Sequence, residues 1–247
     1  LLKDYWGIQI LRVITKEFPE VIFKGSFIFK KIIPNIIRES NDIDFSYEFE
    51  GDKKQKITLV RNMFSELTHL FGKCVILREK KSYYQYANFY FENIENKDIK
   101  IECLTVAPTK RRYIYEHFTS HIEKYILDNY NYSQYKNIIM ESKLPIRIYP
   151  IQDLFIDKFF SIYYFMYKYH GDPDRFYSTI YDIGIMINTE IIITFINNIS
   201  DLESNILRKL KEDNMIHKTQ YGETIYSKIF LKNEVAIIPK IYEDSYL

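Results

Sequence analysis

Residues 42–49 read Asp42-Ile43-Asp44-Phe45-Ser46-Tyr47-Glu48-Phe49, an unbroken alternation of polar and apolar side chains. A period of two belongs to a β-strand with one face on a core. It sets Asp42, Asp44, Ser46 and Glu48 on one face and Ile43, Phe45, Tyr47 and Phe49 on the other. Residues two apart on a strand stand roughly 7 Å apart at Cα, so Asp42 and Asp44 project side by side. Two carboxylates held this close repel unless a cation lies between them, and hard oxygen donors suit Mg²⁺. Alone the pair decides little, because the solvated face of any amphipathic strand has the same composition.

The flanking sequence adds to it. Upstream, the apolar run Val21-Ile22-Phe23 stops at Lys24-Gly25-Ser26 and enters a helix-like segment. A Gly-Ser turn that opens a helix offers backbone N–H groups and a hydroxyl, a cradle for phosphate oxygens; an ordinary strand–helix turn has the same residues. Downstream, Glu102 lies in the extended segment Ile99-Lys100-Ile101-Glu102-Cys103-Leu104. From a neighbouring strand it would join the aspartates. Three carboxylates suffice for a phosphoryl-transfer site with two metal ions.

Outward from this centre the pattern is mixed. Helical spacing covers Tyr5–Phe18, Phe27–Ile37 (interrupted at Pro34) and Ile57–Phe71. Extended segments cover Cys74–Arg78, Tyr83–Ile94 and Ile99–Val106, the last two joined by the turn-like Glu95-Asn96-Lys97-Asp98. Tyr113–Tyr132 reads as a helix or a connection. From Pro150 on the pattern is mostly helical: Ile151–Tyr169, ended by His170-Gly171-Asp172-Pro173, then Arg175–Asn188, Glu190–Asn198 and Leu202–Met215. Two short strands are expected within Thr224–Ile238. The fold class is therefore α/β (α+β), a mixed β-sheet flanked by helices. Residues 1–145 are expected to form that domain and residues 146–247 a mainly helical second one.

Composition excludes several classes. With 7 Gly in all there is no Gly-rich dinucleotide fingerprint and no P-loop. Metalloprotease and serine-hydrolase motifs are absent as well. The 2 Cys, Cys74 and Cys103, cannot build a disulfide framework. No apolar run is long enough to span a bilayer, so no membrane partner and a reducing, cytoplasmic setting are expected. The first residue is not Met, which suggests a start inside a longer protein. The net charge is only +1, with basic residues gathered at Lys53-Lys54-Gln55-Lys56, at Arg78–Lys81 and at Lys110-Arg111-Arg112. Such clusters are solvated faces or contacts for a polyanion. The 23 Tyr and 18 Phe reflect an A+T-rich genome or supply stacking platforms for bases.

Gly25-Ser26 followed by Arg38-Glu39-Ser40-Asn41-Asp42-Ile43-Asp44 resembles the first motif of the polymerase-β-like nucleotidyltransferase superfamily. More narrowly it is similar to the AbiEii-type toxins of type IV toxin–antitoxin and abortive-infection systems, whose pattern is Phe-Lys-Gly-Gly, then Arg-x-Ser-x-Asp-[Ile/Val]-Asp. Here Ser26 stands for the second glycine, and Phe27 stands where a small hydroxyl residue is usual. The likeness continues at Lys158, which interrupts the apolar stripe Ile151, Phe155, Ile162, Phe165, and at Tyr181-Asp182-Ile183. Asp182 has Ile180, Ile183, Ile185 and Met186 for sequence neighbours, so it needs a partner, and Lys158 is the candidate. The family's earlier aspartate falls at Thr179.

The resemblance implies a nucleotidyltransferase fold and transfer of a nucleoside monophosphate from an NTP to a hydroxyl acceptor, with RNA or tRNA favoured. It implies Mg²⁺ or Mn²⁺ on Asp42, Asp44 and Glu102, with Glu102 alternatively a base. Gly25, Ser26 and Lys158 would bind the nucleotide phosphates, and Asp182 would orient Lys158. A cognate antitoxin is the implied protein partner. The competing expectation is a catalytically inactive nucleotide- or nucleic-acid-binding module on the same scaffold.

Overall fold

β1 (Val21–Lys24) and β2 (Asp42–Tyr47) lie side by side, antiparallel, near the middle of a seven-stranded sheet. The structure, a computed structural model, describes residues 2–33, 40, 42–47, 52–71, 74–77, 84–90, 99–104, 112–130, 144–168 and 173–209. The sheet is completed by β3 (Cys74–Leu77), β4 (Tyr84–Phe89), β5 (Ile99–Leu104), β6 (Ile114–Glu116) and β7 (Ile146–Ile148). Their order is β3-β4-β5-β2-β1-β7-β6. β2 is parallel to β5 and β1 is parallel to β7, while the remaining neighbours are antiparallel. The mixed sheet expected from the sequence is present.

β1 is buried on both faces from Val21 to Phe23. Ile22 and Phe23 of β1 are fully buried, and the rings of Phe23 and Phe45 meet edge-on at 5.9 Å. Burying aromatic and aliphatic side chains in this way stabilises by about 1.5–3 kcal/mol each. On β2 the alternation holds from Asp42 to Phe45 and then ends, since Ser46 is buried as well. Its hydroxyl lies 2.6 Å from the Tyr149 hydroxyl, which satisfies both groups inside the protein. The polar face of β2 is therefore open only at Asp42 and Asp44.

Three helices pack on this sheet, and a fourth packs on the first of them. α1 (Leu2–Glu17) lies against β7 and against α4 (His121–Asn129). Arg12 of α1 reaches into α4, where both its terminal nitrogens engage Glu123 and Nη2 also donates to the Phe118 carbonyl. Glu123 in turn closes a capping box with Ser120, whose N–H donates to Glu123 Oε2 at 2.8 Å. α2 (Gly25–Ile32) packs on β1 and β2, and α3 (Lys53–Phe71) on β3 and β4.

Several boundaries differ from expectation for identifiable reasons. α2 starts at Gly25 and ends at Ile32, with Ile33 already extended at φ −101, ψ 121. A residue that precedes proline is pushed out of the helical region. α3 starts four residues before Ile57 because Asp52 and Gln55 form a reciprocal cap, with Asp52 N–H donating to Gln55 Oε1 at 2.9 Å and Gln55 N–H to Asp52 Oδ1 at 2.8 Å. The basic run at 53–56 is thus the first turn of a helix. Tyr113–Tyr132 is neither one helix nor a simple connection, since β6 and the capped α4 lie within it. The turn at 95–98, the basic residues 78–81 and 110–111, and the tail 224–238 lie outside the described residues.

The chain divides into two compact units, Leu1–Pro150 and Ile151–Leu247; β7 belongs to the first. The second holds α5 (Ile151–Lys168), α6 (Pro173–Met186), α7 (Glu190–Asn197) and helical residues 199–209. α6 opens on Pro173, whose fixed φ suits the first helical position and whose missing N–H costs nothing there. Ion pairs hold this unit together: Asp153 with Arg208 at 2.9 Å, Asp157 with Lys209 at 2.8 Å, and Lys158 with Asp182 at 2.5 Å. Among the described residues no single helix is long and apolar enough to cross a membrane.

Candidate active site

Sheet register assembles the first cluster. Asp44 pairs with Lys24 across the antiparallel β1 and with Glu102 across the parallel β5. Directly paired residues present their side chains to the same face, so Lys24, Asp44 and Glu102 form one row across three strands. The next row pairs Asp42 with Lys100. Three carboxylates and two lysines therefore share one patch of the sheet. The three carboxylates foreseen from the sequence are set on one face of the sheet; the lysines at 24 and 100 had no foreseen role.

β1 runs directly into α2 at Gly25, which places the first turn of that helix against Asp44. Gly25 has φ +79, a conformation that L side chains rarely adopt. A Cβ there would stand 2.0 Å from Asp44 Oδ2. Both the backbone angle and the space demand glycine. Lys24 caps the helix in an extended conformation without a side-chain bond. The amide end of α2, including Gly25 and Ser26, carries the positive end of the helix dipole, a favourable setting for the Asp44 carboxylate and for phosphate oxygens.

Phe27, the departure from the usual small residue, faces elsewhere. It is 7% exposed, and a Cβ added to Gly7 of α1 would come within 2.5 Å of its ring. Phe27 thus packs into the groove left by a glycine on another helix. It is a core residue of the α1–α2 contact.

Lys100 sits among the acids. Its Nζ is 3.0 Å from Glu102 Oε2 and 3.9 Å from Asp42 Oδ2. The Asp42 side chain is 40% exposed, those of Lys100 and Glu102 25% and 20%. Among the described residues no three His, Cys, Asp or Glu side chains converge closely enough to hold one metal ion. Lys100 instead places its ammonium within reach of both Asp42 and Glu102. The donors themselves, carboxylates on adjacent parallel strands beside a helix N-terminus held clear by Gly25, have the hard-oxygen chemistry that suits Mg²⁺ or Mn²⁺. The sequence carries a signal for Lys100 in the spacing Lys-x-Glu, which puts it on the face of Glu102.

Beneath this face, the thiol of Cys103 on β5 is fully buried. Burial pushes its pKa well above the ordinary thiol value; Lys24 opposes the rise and Glu102 adds to it.

The second cluster lies in the second unit. Lys158 of α5 donates from Nζ to Asp182 Oδ2 of α6 at 2.5 Å, and the Asp182 side chain is 1% exposed against 15% for Lys158. The pairing expected from the apolar surroundings of Asp182 is present. Thr179, one turn earlier on α6, is buried at 6% exposure. Asp153 and Asp157, both bound to basic residues of the 199–209 helix, had not been singled out. Their i, i+4 spacing on α5 places them on one face and was legible; their partners came from a stretch without a motif.

The sequence model of the family described as nucleotidyl transferase AbiEii toxin, type IV TA system, matches residues 9–237, which include every residue of both clusters. No curated protein matches the chain.

Proposed function

The chain belongs to the AbiEii nucleotidyl transferase toxin family of type IV toxin–antitoxin systems, and from that premise we propose that it transfers a nucleoside monophosphate from an NTP to a hydroxyl of RNA, tRNA ends in particular. The observation that supports this reading most is the register that brings Asp44 level with Glu102, two residues beyond Asp42, against the glycine that opens α2. The oxygen of the acceptor hydroxyl bonds to the α-phosphorus, the bond to the β-phosphate oxygen breaks, and pyrophosphate leaves. Asp42 and Asp44 hold Mg²⁺ or Mn²⁺, and Glu102 either shares in that binding or accepts the hydroxyl proton on its carboxylate. A divalent ion bound there supplies charge neutralisation at the phosphates and steadies the leaving oxygen. The amides of Gly25 and Ser26 receive the β- and γ-phosphate oxygens. Lys158 supplies a cation to the triphosphate, and Asp182 fixes its ammonium. A cognate antitoxin is the protein partner, and the cytoplasm the setting.

The test is incubation with each labelled NTP, Mg²⁺ and total RNA, followed by identification of the species that gains label. Asp42→Ala/Asp44→Ala protein is expected to transfer nothing; full metal-dependent transfer by that variant sinks the assignment. RNA binding that weakens steeply with salt supports the acceptor class, and its absence points to a smaller hydroxyl acceptor. Thr179, buried where the family pattern carries an aspartate, favours a second reading, a module that binds nucleotide without turnover. Nucleotide binding with no label transfer to any acceptor selects that reading.

A further inference from the structure

We propose that Lys100 is a built-in counter-cation of the carboxylate face, whose ammonium competes with a divalent ion for Asp42 and Glu102. The proposal rests on the reading of Asp42, Asp44 and Glu102 as the metal-holding residues. Register alone puts Lys100 opposite Asp42, and strand periodicity puts it on the face of Glu102. The side chain uses both neighbours, with Nζ at 3.0 Å from Glu102 Oε2 and 3.9 Å from Asp42 Oδ2. Asp44 stands in the same row as Glu102, with Lys24 on its other side, so Lys100 is the lysine that reaches Asp42 and Glu102.

At 20–40% exposure of these side chains the charges are only partly screened by water. A lysine ammonium neutralises part of the repulsion between Asp42 and Glu102, and its four-carbon stem lets it swing away. A divalent ion that takes Asp42 and Glu102 as ligands must displace it. Lys100 therefore weakens metal binding while it stabilises the metal-free protein, and it ties full assembly of the site to a cation strong enough to expel it, such as an ion arriving with a nucleotide triphosphate.

The experiment measures Mn²⁺ binding to the full chain by the electron paramagnetic resonance signal of free Mn²⁺, and melting in EDTA. Wild type, Lys100→Met and Lys100→Arg are compared, with Asp42→Ala/Asp44→Ala as the control for the site. Lys100→Met is expected to bind Mn²⁺ about tenfold more tightly than wild type and to melt lower in EDTA, with a larger rise on adding Mn²⁺. Lys100→Arg keeps the charge and is expected to bind no more tightly than wild type. Lys100→Gln replaces Lys100→Met if the latter does not fold, with the same expectation. Equal affinity in wild type and the neutral variants, lost in the aspartate control, overturns the competition and leaves the metal reading standing. Binding in none of the proteins, or binding unchanged in the aspartate control, overturns both.

Discussion

Gly25→Ala isolates the contact between the helix opening and the carboxylate. The substitution meets two obstacles. An L residue at φ +79 costs roughly 1–2 kcal/mol in backbone strain. In addition, the new Cβ would lie 2.0 Å from Asp44 Oδ2, 2.8 Å from its Cγ and 2.9 Å from its Cβ. Real Cβ contacts essentially never fall below 3.0 Å, so relief takes a shift of at least 3.0 − 2.0 = 1.0 Å by Asp44 or by the first turn of α2. A displacement of about 1 Å in a catalytic group lowers turnover about 100-fold. The variant is expected to fold, with a stability loss in urea of about 2–5 kcal/mol, the sum of strain and overpacking, and to transfer label from NTP about 100-fold more slowly at saturating nucleotide. Asp44→Ala supplies the internal check. In that background the contacts to Oδ2 and Cγ vanish and only the one to Cβ persists, so the stability loss from Gly25→Ala is expected to shrink toward the backbone part alone. Wild-type turnover by Gly25→Ala, or the same stability loss with Asp44 and with Ala at position 44, refutes the reasoning.

Two further outcomes test the remaining electrostatics. Lys158→Met leaves the buried Asp182 carboxylate without the lysine that stands 2.5 Å away; a broken buried pair costs about 3–5 kcal/mol, and the urea midpoint should recover most of that loss on adding Asp182→Leu, a result that an exposed, weakly coupled pair would not give. Asp4 governs part of the acid limb. Burial pushes its carboxyl up, but the hydrogen bond and charge of Lys31 and the backbone and ring of His121 outweigh it, so its pKa lies below the ordinary value. A depressed carboxyl stabilises fully above the unfolded value, about 3.9, and that contribution is lost as pH falls through the folded one. Asp4→Asn is expected to flatten stability against pH below about 4, measured by urea unfolding from pH 2 to 6; an unchanged slope counts against the Asp4–Lys31–His121 contact.

What the sequence disclosed, and what it withheld, follows from the range of each physical signal. The period of two at Asp42–Phe45 and the 3.6-residue stripe of α5 are local, and both elements formed where expected. The Lys158–Asp182 pair was legible for a similar reason, because a carboxylate amid isoleucines needs a counter-charge whatever the topology. β6 and β7 are three residues each, little more than one period, and they exist as strands because β1 offers an edge to β7 and β7 in turn offers one to β6. The cap at Asp52 and Gln55 was hidden by the basic residues within it, although spacing alone encodes it.

Phe27 and Lys100 show the deeper limit. Read along the chain, Phe27 stands in a phosphate-binding turn and looks like a defect; read in space, its ring fills the groove at Gly7, twenty positions earlier. A helix–helix contact of that kind leaves no periodic trace. Lys100 was visible as a neighbour of Glu102, but its approach to Asp42 depends on β5 lying parallel to β2 in one register. A slip of one residue would turn Lys100 and Glu102 together to the opposite face. The residue types thus disclose which charges the site contains, whereas the register decides which of them compete. The tenfold change expected on removing Lys100 depends on that second kind of information, so it tests the register of β2 and β5 as directly as it tests the chemistry.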